Sequence, residues 1–75
     1  MPARLRDIIR VLLEDYGLES QRPSRGSHWK IVDTATGRSY TVPAHNGPRT
    51  EIDDKYFRAM CRYFDIDYKD LKKKL

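Results

Sequence analysis

The sequence predicts an α+β fold of order α-β-β-β-α, in which a three-stranded antiparallel sheet carries both helices on one face. Three observations lead there. Apolar residues recur at three- and four-residue steps near the start of the chain. Two runs with alternating polarity flank Thr34-Ala35-Thr36-Gly37, and a second helical stripe follows Asn46-Gly47-Pro48. Two amphipathic helices need apolar surface to cover, and one face of a small antiparallel sheet supplies it while the other face stays open to solvent.

In the first helix, Leu5, Ile8, Ile9, Leu12, Leu13 and Tyr16 fall on one face. Pro2 suits its first turn. Gly17 followed by Leu18 suits a left-handed cap whose apolar successor folds back on the last turn, so the helix should end near Tyr16. Residues Leu18 to Arg22 are compatible with a short edge strand closed by Pro23. From Ser27 to Asp33, alternation sets Trp29 and Ile31 inward and His28 and Lys30 outward, with Val32 an apolar exception on the His28 side. The stretch from residue 34 to 37 reads as a turn, and Arg38 to Pro43 as the returning strand of a hairpin with Tyr40 and Val42 inward.

Residues Ala44 to Arg49 read as loop. Tyr56, Phe57, Met60, Cys61 and Phe64 then restore helical spacing, with either a Thr50/Asp53 capping box or Asp53 itself as the N-cap. A short last helix from Asp67 would place Lys72, Lys73 and Lys74 at its negative end; the alternative is a frayed tail. The whole chain, 1–75, is expected to form a single domain with its core in 4–64 and a basic tail in 65–75.

A chain of 75 residues has little room for a deep pocket. Fifteen Lys and Arg against eleven Asp and Glu give a net charge of +4, a modest bias toward polyanions. The lone Cys61 lies in an apolar stripe and reads as a buried thiol in a reducing compartment. Arg4, Arg6, Asp7 and Arg10 interrupt the first leucines, so neither a membrane span nor a secretion signal is expected, and the location expected is the cytoplasm.

Pairing Asp33 with Arg38 sets His28 opposite Pro43, with His45 just beyond, so both imidazoles converge at one end of the sheet. The loop bearing His45 leads into the second helix, whose first turn offers N–H groups, and Arg25 and Lys30 add positive charge. Metal-free RNA cleavage needs a base for the 2′-hydroxyl, cationic donors for the phosphorane and an acid for the leaving oxygen. His28 suits the first role. His45 is either the acid or a phosphate donor.

Gly26-Ser27-His28 opening one strand and Thr41-Val42-Pro43-Ala44-His45 closing the next, within this element order, resemble HicA-type mRNA interferase toxins over roughly residues 4 to 64. The resemblance implies a double-stranded-RNA-binding-like fold, endoribonuclease activity through the motif histidine, here His28, and inhibition by a cognate HicB-like antitoxin. RNA contacts are expected from Arg25, Ser27, Lys30 and His45, without cofactor or metal. Leu18 stands where members of that family often carry an aromatic residue, and the basic tail is extra.

Other readings compete residue by residue. Trp29 reads as core rather than a base-stacking platform, and the stripe Lys55, Arg58, Arg62 as a solvated face. Two histidines without a third ligand make a poor zinc site. A non-catalytic double-stranded-RNA-binding module shares the element order, but Asp53-Asp54 at the second helix would repel RNA where such modules carry lysines. A protein-interaction module using the open sheet or its edge is the third reading, and the edge near Leu18 leaves an oligomer open.

Overall fold

The computed structural model describes residues 3–75, so the expected role of Pro2 lies outside the described residues. Its architecture is α+β, with helices over one face of a three-stranded antiparallel sheet and a short helix at the C-terminal end. Helix α1 spans Leu5–Tyr16 and begins after Arg4, without a side-chain cap. It ends on Gly17 at φ 68°, whose N–H bonds to the Leu12 carbonyl, and Leu18 is buried directly after it.

The buried face of α1 consists of Leu5, Ile8, Val11 and Leu12. Leu13, expected in the stripe, is 54% exposed. Leu13 and Val11 lie about 160° apart around a helix, so a face turned toward Val11 releases Leu13 to water. The turn of the face follows from the docking of α1 beside the edge strand β2 (Leu18–Gln21), which continues straight from its cap.

Strands β3 (His28–Asp33) and β4 (Arg38–Pro43) form the hairpin, and the sheet order is β2-β3-β4. Their register pairs His28 with Pro43, Lys30 with Thr41 and Asp33 with Arg38. Asp33 fixes the turn: its side chain accepts from Ala35 N at 3.0 Å and its carbonyl from Gly37 N at 2.8 Å. Trp29, Ile31 and Val42 are buried on the helix side, whereas His28, Lys30, Ser39 and Thr41 are exposed on the other.

The segment after β4 is more ordered than the loop expected. A 3₁₀ turn at Gly47–Arg49 leads into a two-residue strand β5 (Glu51–Ile52), which pairs with β1 (Ala3–Arg4). The Leu5 N–H donates to the Thr50 carbonyl at 2.8 Å, so this small ladder pins the start of α1. Helix α2 (Asp54–Tyr63) takes Asp53 as its N-cap, whose carboxylate accepts from Lys55 N. Thr50 has another partner, since its hydroxyl accepts from Asn46 N.

Helix α3 (Tyr68–Lys73) is docked rather than frayed. Asp67 caps it by accepting from the N–H groups of Lys69 and Asp70, and Leu71 is completely buried. One core thus runs through Leu5, Ile8, Leu12, Ile31, Val42, Phe57, Met60, Cys61 and Leu71. Among the described residues no helix is long and apolar enough to cross a membrane.

Candidate functional site

The hairpin positions the first imidazole. His28 opens β3 with its side chain on the open face, and Lys30, two residues on, shares that face. Beyond the paired His28 and Pro43 the ladder continues by one more bond, Ala44 N to Ser27 O at 2.6 Å. Ala44 is buried there, which anchors the chain so that His45 emerges exposed at the same sheet end. The expected convergence of His28 and His45 at one end of the sheet is therefore built by β3, β4 and one extra ladder bond, with Lys30 on the His28 face.

Arg25 precedes the ladder. It lies in the exposed bend before β3 and makes no side-chain hydrogen bond or ion pair among the described residues. Just ahead of that bend, Arg22 rather than Arg25 finds a partner, with its guanidinium 5.4 Å from the centre of the Trp29 ring. Trp29 itself is buried, as its inward position requires.

The support beneath the site comes from α2. The Tyr56 hydroxyl donates to the Thr41 carbonyl at 2.6 Å, and burial pushes the phenol above its ordinary range, with Tyr40 nearby adding to the shift. Tyr40 packs edge-on to Tyr56 at 5.8 Å and to Phe64 at 6.3 Å, which fixes β4 against the helix. The strand that presents Pro43 and His45 is thus held from behind by an aromatic cluster.

One expectation about the site needs correction. The first turn of α2 is no anion cradle, because the Asp53 carboxylate already accepts from the Lys55 N–H and Asp54 adds a second negative charge. His45 instead borders a cleft of about 700 Å³ at the start of α1, together with Arg4, Arg6, Asn46, Arg49, Thr50 and Glu51. It also borders a smaller cleft of about 180 Å³ with Pro43, Ile52, Asp53 and Tyr56. Arg4, Arg6 and Arg49 were not expected at the site. Arg4 and Arg6 stood out only as charges interrupting leucines, and Arg49 joins them through the β1–β5 ladder, which has no period of its own to read.

The tail lysines are also placed. Lys72 pairs with Asp54 at 3.6 Å, and Lys74 with Asp70 at 3.3 Å and Asp15 at 3.8 Å, so these charges hold α3 to its neighbours. Arg58 pairs with Asp54 at 3.0 Å. Among the described residues no group of three or more His, Cys, Asp or Glu side chains is gathered as a metal site would need. The chain matches no protein-family model, no curated protein and no solved structure.

Proposed function

We propose that the protein is an endoribonuclease resembling HicA-type mRNA interferases, acting on mRNA as the toxin of a type II toxin–antitoxin pair. The observation that carries this reading is the placement of His28 and His45 at one end of an open sheet face, with Lys30 beside His28. In this mechanism the His28 imidazole takes the proton of the RNA 2′-hydroxyl. The 2′-oxygen then attacks phosphorus, the 5′-oxygen leaves with a proton, and a 2′,3′-cyclic phosphate remains. Lys30, Arg25 and the Ser27 hydroxyl hold the phosphate, and His45 either protonates the leaving oxygen or binds a neighbouring phosphate. No metal is required of this scheme. A HicB-like antitoxin would be the cognate partner, and the cytoplasm, where mRNA is translated, the site of action.

A positioned general base contributes roughly 10²–10⁴-fold to rate. His28→Ala should therefore retain the circular dichroism spectrum of the wild type while losing at least about 100-fold of its cleavage of a structured mRNA in EDTA. An equally active, folded His28→Ala protein would sink the assignment. A second reading, a non-catalytic RNA-binding or protein-interaction module of the same fold, is favoured by one observation: neither imidazole has a side-chain partner orienting it among the described residues. The same assay separates the two, since such a module leaves RNA intact in both samples.

A further inference from the structure

We infer that the cleft at the start of α1 is a subsite for one nucleotide of single-stranded RNA, with its phosphate on Arg4, Arg6 and Arg49 and its base in the adjoining small cleft. The inference deepens the RNA reading above and rests on it for the nature of the polyanion, but not on cleavage. The larger cleft brings three arginines and His45 around about 700 Å³, with Glu51 as its one carboxylate. All three guanidinium groups are exposed, and none makes a hydrogen bond or ion pair among the described residues. The other cations nearest in role, Arg58, Lys72 and Lys74, are already committed to carboxylates.

The position of these charges opposes stability. Arg4 and Arg6 sit at the positive end of α1, which has no side-chain cap, so the helix dipole and mutual repulsion both disfavour them in the absence of an anion. A bound phosphate removes that conflict. Asp7 shares the first turn and lines a neighbouring cleft with Arg4 and Glu51, but forms no ion pair with Arg4 or Arg6 among the described residues.

The neighbouring cleft decides which polyanion fits. It shares His45, Thr50 and Glu51 with the arginine cleft and adds Pro43, Ile52 and the Tyr56 ring, a flat, largely apolar wall with Asp53 at its rim. A nucleotide has this same division into an anionic part and a flat apolar part, and its exocyclic amino groups donate to carboxylates such as Glu51 and Asp53. An acidic side chain entering this small cleft would meet those two carboxylates as repulsion, whereas a base carries no charge into it. The base must leave its helix to enter, which selects single-stranded RNA. Because His45 follows Ala44, which is bonded to Ser27, the subsite begins where the His28 end of the sheet stops.

The test is binding of a short, fluorescently labelled 2′-O-methyl oligoribonucleotide, which lacks the hydroxyl needed for cleavage, to the full chain across about 50 to 200 mM salt. The triple variant Arg4→Gln, Arg6→Gln, Arg49→Gln, which gives up that one phosphate, should lower the slope of log affinity against log salt by about 0.7, and each single variant should lower it by less. Arg6→Gln should do so without lowering the melting temperature. A charge-matched control, Lys55→Gln with Arg62→Gln and Lys69→Gln, removes three exposed cations elsewhere and should leave the slope nearly intact.

The inference is overturned if the wild type does not bind at the lowest salt, if the triple variant binds with the wild-type slope, or if the control loses as much as the triple variant. Poly-glutamate binding through the same arginines as tightly as the oligonucleotide would overturn it in favour of an acidic protein partner. Arginine-dependent binding by a protein that cleaves no RNA would remove the enzyme reading and leave this subsite standing.

Discussion

Cys61 shows how far a single side chain is set by its surroundings. It is 1% exposed, within a core cluster that includes Phe57, Met60 and Leu71. Burial pushes its thiol from 9.0 up to about 11, and the Asp67 carboxylate adds to the shift. As pH rises above 9.0 the unfolded chain loses this proton while the folded chain keeps it, so the thiol's contribution to stability declines until about pH 11. Cys61 should therefore resist alkylation in the native protein near pH 8 and react freely in denaturant. Labelling at equal rates in both states would show that the thiol is not enclosed. Its burial was legible because a small apolar side chain in a helical stripe has one sensible place. The choice between Leu13 and Val11 was not, since they flank the stripe on opposite sides and only the docking angle of α1 decides which of them is buried.

At the scale of elements, α3 depends on carboxylates. The Tyr68 hydroxyl donates to Asp54, and that bond, ahead of the nearby Lys72 and Arg58 charges, holds the Asp54 carboxyl below its usual range. The Tyr16 hydroxyl does the same for Asp70, seconded by Lys74. Both groups keep a lower pKa folded than unfolded, so their contribution is complete above the ordinary value of 3.8 and disappears as pH falls through the depressed folded values. Asp70→Asn should thus flatten the loss of thermal stability on acidification below about pH 4 relative to the wild type. Parallel melting curves at neutral and acid pH measure this, and identical acid dependence in the two proteins would count against the attachment. Asp67 as a cap was readable from its residue type and the acidic position that follows. Its docking was not, because six residues carry too little pattern to show a buried face, and the β1 and β5 strands, at two residues each, carry none.

The molecule as a whole divides its sheet residues by face. Helices cover Trp29, Ile31 and Val42, leaving the opposite face of the sheet for His28 and Lys30. That half of the candidate site was legible because the Asp33 to Arg38 turn fixes the register, and register fixes both face and position. The arginine cleft was not, since its members are far apart in sequence and meet only through tertiary pairing. A chain of this length has one core and little surplus stability, so each buried residue weighs on the whole fold. Leu71, with 0% of its surface exposed, lies on a helix remote in sequence from the hairpin yet belongs to that same core. Leu71→Ala should cost about 2–5 kcal/mol, and for a domain this small each kcal/mol moves the melting midpoint by about 4–8 °C. A fall of at least about 8 °C is expected, against almost no change for Leu13→Ala at its exposed position. Below its own midpoint the Leu71→Ala protein should retain whatever cleavage the wild type shows under the proposed function, because the substitution leaves the sheet end untouched. A shift of only a degree or two would mean that α3 rests on the core without stabilising it. A loss of cleavage in the still-folded variant would tie the C-terminal helix to the site itself.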